Sequence, residues 1–337
     1  MSSPIEITRE FIAANAARFD DALEIAKNEF RLLDSDAQYT NAFARLLKWD
    51  PLERVAMLGT DQRELFIPVL KDLIRAQRRA ASGSFSFFDI GCGDGQTFVL
   101  AAEELPDGAT GAILDPNAYY LTQYEAAVRA AARLRLGQSI CAPFLPNTAV
   151  DAPGGFDLIL AIHVLYYFDE LLPSLARIYE LLKPGGAAFI VFADEKTAYT
   201  GQALRACHRA AGDSAWLAAF DETCERRRRL LLPGADGHAD VQTQLDDRFP
   251  ESRAALRGWV QASRLFGHTL VDVIALSLIS GLDRVETPAK FDAVMELIRT
   301  QPELIGLRIE RGGHPAREGM LSVVQSQVVV ELRREAR

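Results

Sequence analysis

An alternation of short apolar runs with helical patterns, between residues 85 and 193, most constrains how this chain can fold. Strands that alternate with helices are joined by right-handed crossovers and therefore form a parallel sheet. Such strands are covered on both faces, which makes them continuous apolar runs. We predict an α/β fold with five such strands, at 84–90, 111–115, 139–142, 156–162 and 187–192.

The first predicted strand ends in a loop with three glycines at alternate positions, FFDIGCGDGQTF. The pattern D-x-G-x-G-x-G differs from the G-x-G-x-x-G of dinucleotide folds, in which the loop and a helix N-terminus hold a pyrophosphate. Gly91 and Gly93 lack Cβ atoms, so a small ligand can approach their backbone. Asp89, at the end of the strand, suits a cationic group such as an ammonium better than a diphosphate.

A second acid, Asp115, closes the second predicted strand. A carboxylate at this place can accept two hydrogen bonds from a ribose diol. A partner for an ammonium and a partner for a ribose together indicate an amino-acid nucleoside. The sequence therefore predicts S-adenosylmethionine (SAM) as the ligand.

Four ordered elements resemble the class I SAM-dependent methyltransferases: FFDIGCGDG, the acid in AILDPN, FDLILAIHVLYYF, and LLKPGG before FIVFADE. The resemblance implies a Rossmann-like fold with a mostly parallel seven-stranded sheet, N-terminal helices and a helical insertion after the fifth strand. Many members carry Asp where this chain has Cys141 or Ala142, which leaves the contact to the adenine amino group open. The implied SAM contacts are Asp89, Gly91, Cys92, Gly93, Asp115, Pro116, Cys141, Ala142 and Ile162.

Three further segments resemble the histamine N-methyltransferase-like branch: QYTNAFARLL, IHVLYYF and EGMLSVVQSQVVVEL. The branch has a glutamine at the position of His163 and an asparagine near Gln325, so the acceptor must differ from histamine. Together with neighbouring aromatic residues, the predicted substrate pocket is Tyr39, Phe43, Tyr120, Phe144 and Gln325, and the predicted catalytic residues are His163, Tyr166 and Tyr167.

The chemistry of the ligand favours an aromatic pocket independently of the resemblance. Tyrosine and phenylalanine faces attract cations such as a sulfonium by roughly 0.5–2 kcal/mol each. Histidine titrates near neutrality, so His163 is a candidate general base. The alternatives are structural: His163 can be a hydrogen-bonded core histidine, residues 166–168 can cap the sheet, and residues 39 and 43 can be core residues on one helix face.

The rest of the chain is predominantly helical by pattern. We predict an N-terminal helical cap over 1–84, the SAM-binding core over 85–193, a helical insertion or lid over 194–266, and the C-terminal part of the core sheet over 267–337. Predicted elements after the core are helices at 200–210, 213–232, 250–266 and 291–300, a strand or buried helix at 269–276, and a strand at 323–332.

Composition limits the partners. The formal net charge of −9 repels polyanions and argues against nucleic acid. The sequence contains no run of about 18 apolar residues and no N-terminal signal pattern, so we expect a cytoplasmic protein without a membrane partner. The four cysteines show no CxxC pair and no metal-ligand spacing. We expect reduced thiols, no metal and a small-molecule substrate; the oligomeric state stays open.

Three functions compete. The first is SAM-dependent methyl transfer to nitrogen or oxygen of a small molecule. The second uses SAM as the sole substrate: its own amine attacks Cγ, giving azetidine-2-carboxylate and methylthioadenosine. An acid that anchors the ammonium, as Asp89 would, opposes this attack. The third is a non-catalytic SAM-binding protein. The sequence does not identify the acceptor.

Overall fold

The computed structural model describes residues 3–33, 42, 59–81, 83–130, 134–168, 170–234, 237, 239–279 and 285–337. The chain divides into two compact units. The first, here the seven-stranded unit, comprises Leu65–Phe192, Arg226–Val260 and Val328–Arg337. The second, here the four-stranded unit, comprises Met1–Glu64, Ala193–Glu225 and Gln261–Gln327.

The seven-stranded unit is built on a sheet of order β4-β3-β2-β5-β6-β11-β7. The pairs β2–β3, β2–β5, β3–β4 and β5–β6 are parallel, as the alternation of strands and helices predicts. The strands are β2 (Ser86–Ile90), β3 (Thr110–Leu114), β4 (Arg135–Ile140), β5 (Phe156–Ile162), β6 (Leu182–Ala193), β7 (Ser252–Gln261) and β11 (Gln327–Ala336). The predicted Rossmann-like α/β fold is confirmed.

The central strands are apolar because they are covered on both faces. In β5 the first six residues are buried, and in β2 the last four are. Phe88 of β2 stacks on Phe156 of β5 with ring centroids 5.3 Å apart. Burial of side chains of this kind stabilises a fold by about 1.5–3 kcal/mol each. Since the strands are parallel, the loops that follow β2, β3, β4 and β5 emerge at the same edge of the sheet.

The helices of this unit lie where the pattern predicts them, except for the last one. They are α3 (Gln62–Ala80), α4 (Gln96–Ala101), α5 (Ala118–Ala130), α6 (Leu171–Leu181) and α9 (Asp240–Arg248), with short 3-10 turns at Ala102–Glu104 and Leu165–Tyr167. Helix α8 (Ser214–Leu231) is divided between the two units after Glu225. Helix α5 buries Leu121, Tyr124 and Val128, which lie three and four residues apart and therefore share one face.

The four-stranded unit pairs its strands in the order β1-β9-β10-β8, and the three pairs are antiparallel. Its elements are β1 (Ile5–Glu6), α1 (Arg9–Ala14), α2 (Ala16–Phe30), α7 (Tyr199–Ala210), β8 (Arg264–Gly267), α10 (Leu270–Ser277), α11 (Thr287–Thr300), β9 (Arg308–Ile309), a 3-10 turn (Pro315–Arg317) and β10 (Leu321–Val324). Residues 269–276, for which the sequence leaves a strand and a buried helix open, form helix α10. Thr269 caps it, because its hydroxyl accepts from Asp272 N while the Asp272 carboxylate accepts from Thr269 N.

The helix predicted over 250–266 is wrong. These residues form β7, at one edge of the seven-stranded sheet, and β8 of the other sheet. The alanines and leucines suggested helical spacing, but burial at the start of β7 alternates, with Ser252 and Ala254 inward and Arg253 outward. Gly258, inside the pattern, costs about 1 kcal/mol in a helix.

The closing strand predicted over 323–332 is two strands. Its first part belongs to β10 in the four-stranded sheet and its second to β11 in the seven-stranded sheet. The break falls at Gln325 and Ser326. There the backbone N–H of Gln325 donates to Ser263 O at 2.8 Å and that of Asp194 to Ser326 O at 2.8 Å. Valines on both sides of the polar residues 325–327 make the segment resemble a single strand in the sequence.

Gly111 gives a direct test of packing in β3. A Cβ at this position would lie 2.2–2.8 Å from three ring atoms of Phe87, whose ring stacks on Phe98. We expect Gly111→Ala to lower the free energy of unfolding by about 1–3 kcal/mol, because the ring has to move out of its packed position. Urea unfolding measures this. Gly83→Ala is the matched control, since nothing lies within 4 Å of its Cβ; equal values for the two variants would contradict the packing of β3 against β2.

Candidate functional site

The glycine loop after β2 turns sharply at the carboxyl edge of the sheet. Gly91, Gly93 and Gly95 have φ of +61°, +54° and +81°, in the left-handed region that favours glycine. Between them, Cys92 N donates to Leu114 O of β3 at 3.1 Å. The loop is therefore tied to the neighbouring strand by its backbone, and α4 begins directly after it at Gln96.

The three glycines serve different purposes. A Cβ on Gly91 would lie 2.2 Å from Val164 Cγ1, and one on Gly95 would lie 2.8 Å from the ring of Tyr124. A Cβ on Gly93 would have no atom within 4 Å. Gly91 and Gly95 are thus required for packing as well as for φ, while Gly93 presents its backbone to open space where a ligand can approach.

Asp115 ties the end of β3 to the glycine loop. The residue is 8% exposed. Its Oδ2 accepts from Gly93 N at 3.0 Å and its Oδ1 from Asn117 N at 2.8 Å. A carboxylate oxygen can accept more than one hydrogen bond, so both oxygens keep capacity for a ribose diol. The Asp115 carboxylate can therefore make the predicted hydrogen bonds to the ribose hydroxyls.

Asp89 is buried at the end of β2, 6% exposed. The hydroxyl of Tyr124 donates to its Oδ2 at 3.0 Å. Burial raises the pKa of Asp89 to about 7, because the charged form loses hydration; the nearby Asp115 charge raises it further, while the Tyr124 hydrogen bond lowers it. Burial likewise raises the pKa of the Cys92 thiol well above its usual range.

Sequence reasoning did not identify Tyr124 as part of the site. Its ring packs on Phe98 at 5.1 Å and under Gly95, and the whole side chain is buried. The available signal was its place on the apolar face of α5 between Leu121 and Val128. A buried tyrosine usually finds a partner for its hydroxyl, and here the partner is the first acid of the glycine motif.

The raised pKa of Asp89 makes stability depend on pH. Its folded pKa of about 7 lies above the ordinary value, so protonation stabilises the fold fully at low pH and this contribution is lost as pH rises through 7. Asp89→Asn has no such proton to lose. We expect the variant to gain about 3 kcal/mol relative to the parent between pH 5 and pH 8. Urea unfolding at the two pH values measures the gain, and a constant difference would contradict an unusually high pKa.

The remaining predicted SAM residues lie at the same edge of the sheet. Cys92 is half-buried in the glycine loop and Ile162 is half-buried at the end of β5. The thiol of Cys141, just after β4, donates to Pro116 O at 3.6 Å, and both residues are exposed. Ala142 follows, half-buried. These residues all lie in the seven-stranded unit at the carboxyl edge of its sheet, which is where the predicted SAM site requires them.

His163 follows β5 in an unusual backbone conformation. Among the described residues it is the one non-glycine with a φ in the left-handed region, +57°. Its N–H donates to Val191 O at 2.6 Å, and its Nδ1 lies 3.0 Å from the Tyr166 hydroxyl. Its ring also meets Phe66 edge-on, with centroids 6.3 Å apart. Such a conformation costs about 1–3 kcal/mol and is concentrated at functional sites.

The aromatic residues near His163 differ in exposure. Tyr166 is half-buried, whereas Tyr167 is 67% exposed and meets Tyr166 edge-on at 6.1 Å. Tyr120 is half-buried on α5. Phe144 is buried, with its ring 5.5 Å from Phe168, so the described structure shows it as a core residue; its pocket role stays a prediction.

Gln325 belongs to the four-stranded unit, where its side chain is paired with Thr200. Its Nε2 donates to Thr200 Oγ1 at 2.9 Å, and its Oε1 accepts from Thr200 N at 3.2 Å. This pairing holds the amide in one orientation. The predicted pocket residues Tyr39 and Phe43 lie outside the described residues.

Two structural features are absent from the described part of the chain. No group of three His, Cys, Asp or Glu side chains there could hold a metal ion. No helix in the same residues is long and apolar enough to cross a membrane.

Comparison with protein families finds one match at the site just described. Residues 88–188 match the family model described as a methyltransferase domain. The matched segment runs from the end of β2, through the glycine loop, Asp115 and His163, into β6. A comparison with curated proteins finds no match.

Solved structures with similar folds include the YcgJ protein of Bacillus subtilis (11% identity, 79% of this chain and 99% of that chain, TM-score 0.43). Two others are the plantazolicin methyltransferase BamL in complex with SAH (14%, 93% and 99%, 0.40) and the N-methyltransferase NodS of Bradyrhizobium japonicum (12%, 82% and 99%, 0.37). At these identities and scores the likenesses say nothing about a substrate.

The histamine N-methyltransferase-like branch stays a prediction, because no comparison separates it from other branches. The broader prediction is confirmed by the domain match and by the parallel sheet that carries the glycine loop and its two acids. Residues 88–188 of this chain therefore match a methyltransferase domain, and the structure places them on a Rossmann-like parallel sheet.

Proposed function

We propose that this enzyme transfers the methyl group of SAM to a nitrogen or oxygen atom of a small molecule. The observation that carries the proposal is the pair of buried acids beside the glycine loop: Asp115, which accepts a hydrogen bond from Gly93 N, and Asp89, at the end of the adjacent strand. Asp115 would hold the ribose and Asp89 the ammonium. Pro116, Cys141 and Ala142, which follow β3 and β4, would flank the adenine.

His163 is the proposed base for the acceptor. The co-substrate supplies an electrophilic methyl group on a sulfonium; the chain has to orient the acceptor and remove its proton. To act as a base at Nε2, the imidazole must carry its proton on Nδ1 and donate it to the Tyr166 oxygen, 3.0 Å away. The left-handed backbone of His163 and the hydrogen bond from its N–H to Val191 O fix the direction in which the side chain leaves the main chain.

The aromatic side chains beside His163 support an amine as the acceptor. Half-buried Tyr166 and exposed Tyr167 provide aromatic faces beside His163, and such faces attract an amine that still carries its charge. The net charge of −9 disfavours a nucleic acid as acceptor. Several kcal/mol of the barrier can be supplied by alignment of the acceptor with the methyl–sulfur bond.

One observation favours cyclisation of SAM as a second candidate. His163 directly follows β5, whose end would line the methionyl part of SAM, and an imidazole suits a general base at neutral pH. This imidazole could take the proton of the SAM ammonium. The amine nitrogen would then form a bond to Cγ while the Cγ–sulfur bond breaks, leaving azetidine-2-carboxylate and methylthioadenosine.

Mass spectrometry of the products separates these candidates. Purified protein is incubated with SAM alone, and with SAM plus a panel of small amines and hydroxyl compounds. S-adenosylhomocysteine that forms only with an acceptor supports methyl transfer. Methylthioadenosine with azetidine-2-carboxylate in the absence of an acceptor supports cyclisation. Calorimetric binding without either product indicates a binding protein, and absence of binding contradicts the proposal altogether.

A further inference from the structure

The acid that begins the glycine motif faces a buried tyrosine, and no ion pair among the described residues includes it. We propose that Tyr124 is a positioning residue that couples SAM binding to the release of a proton from Asp89. The inference rests on the proposed function, since it takes the ammonium of SAM as the group that Asp89 meets.

Packing fixes the Tyr124 hydroxyl from two sides. The ring lies 5.1 Å from that of Phe98, and a Cβ on Gly95 would lie only 2.8 Å from it. The side chain is wholly buried, so its hydroxyl has little freedom apart from rotation of the hydrogen. It donates to Asp89 Oδ2 at 3.0 Å, which stabilises the ionised carboxylate.

Among the described residues, the groups that face Asp89 from the surrounding elements are neutral or acidic. They are the Tyr124 hydroxyl from α5, the Asp115 carboxylate from the end of β3 and the Cys92 thiol from the loop. The residues paired with Asp89 on the neighbouring strands are Ile113 and Leu160, both apolar. No cation of the described chain offsets a charge on Asp89, so below about pH 7 the carboxyl keeps its proton until a ligand brings a positive group.

A proton balance follows from this environment. With the site empty, the pKa of Asp89 is about 7, and an adjacent ammonium lowers it. Binding near neutral pH therefore releases a proton from the carboxyl group to the buffer. We expect affinity to rise about tenfold from pH 6 to pH 8 and to level off above, because the ligand no longer has to displace a proton.

Calorimetry with S-adenosylhomocysteine tests the coupling. This probe carries the same ammonium as SAM and does not react. Titrations at pH 6, 7, 8 and 8.5, in buffers with different ionisation enthalpies, give affinity and proton release together. Methylthioadenosine lacks the amino-acid part and is the ligand control, for which we expect no pH dependence over this range.

Tyr124→Phe tests the role of the hydroxyl. Without its hydrogen bond the pKa of Asp89 rises further, so the affinity transition should move to higher pH. At pH 7 the variant should bind several-fold more weakly than the parent, and at pH 8.5 it should recover. Tyr179→Phe is the matched control: Tyr179 is equally buried in the same unit, and its hydroxyl lies 3.0 Å from Ser252 Oγ, which is not part of the site.

The outcomes distinguish failure of the proposed function from failure of the proton coupling alone. No binding of S-adenosylhomocysteine by the parent at any pH would overturn the proposed function itself. Binding with constant affinity and no proton release would overturn only the coupling. A Tyr124→Phe variant that is weaker by the same factor at every pH would show that the hydroxyl does not act through the proton of Asp89. The parent profile decides the question even if the variant folds poorly.

Discussion

Asp115→Asn is expected to weaken SAM binding about 100- to 1000-fold, because the change removes about 3–4 kcal/mol of hydrogen bonding to a charged acceptor. The carboxylate now accepts from Gly93 N and Asn117 N, one on each oxygen. An asparagine offers one oxygen and turns an NH2 group toward the other N–H donor. Both the ribose contact and the anchor of the glycine loop are lost together.

Calorimetry with S-adenosylhomocysteine measures this effect, and Asp157→Asn provides the matched control. Asp157 is also 8% exposed, lies on β5 of the same unit, and accepts a backbone N–H, that of Ser86, at 2.7 Å. It pairs with Lys183 at 2.7 Å. We expect the control to lose stability but to keep its affinity. Equal affinities for the parent and Asp115→Asn would contradict the ribose assignment.

The part of the site that depends on local sequence could be predicted. Gly91, Gly93 and Gly95 follow Asp89 at the end of β2, and glycines at alternate positions after a strand predict a turn whose backbone a ligand can approach. Asp115 could be placed at the same edge because parallel strands end together. These predictions require only the order of the strands and do not depend on any contact between side chains.

The part that depends on contacts between distant residues could not be predicted. The Tyr124 hydroxyl reaches Asp89 across two separate elements, and spacing on α5 specifies only that the tyrosine faces inward. The left-handed backbone of His163 could not be predicted, because no glycine marks the position and most histidines have a negative φ. The edge strand β7 was taken for a helix, since alanine and leucine fit both periods and tertiary pairing decides between them.

The division of the chain into two units also limits what the sequence pattern can predict. The closing apolar run reads as one strand, yet it is divided at Gln325 between two sheets. The polar residues 325–327 interrupt the apolar run, but the division depends on which strands compete for each half, and the sequence does not specify that. Assignment of Gln325 to the acceptor pocket therefore rests on resemblance and stays a prediction.

His163→Asn is expected to reduce turnover about 10²- to 10⁴-fold, the contribution usual for a general base, with little change in affinity for SAM. Asparagine tolerates the left-handed conformation that His163 adopts, so the backbone bond from its N–H to Val191 O can persist. Its amide cannot accept a proton from the acceptor. His163→Ala is a poorer test, because its effect would combine the loss of the base with the cost of placing alanine in the left-handed region.

Product formation from SAM and the acceptor found in the screen measures the effect, alongside calorimetry with S-adenosylhomocysteine. Tyr166→Phe keeps the imidazole but removes the oxygen 3.0 Å from Nδ1, so we expect a smaller loss of turnover than for His163→Asn. His268→Asn, an exposed histidine outside the seven-stranded unit, is the control for histidine loss as such. If His163→Asn keeps its turnover, the hydrogen bond to Tyr166 and the contact with Phe66 are structural, and another group removes the proton of the acceptor.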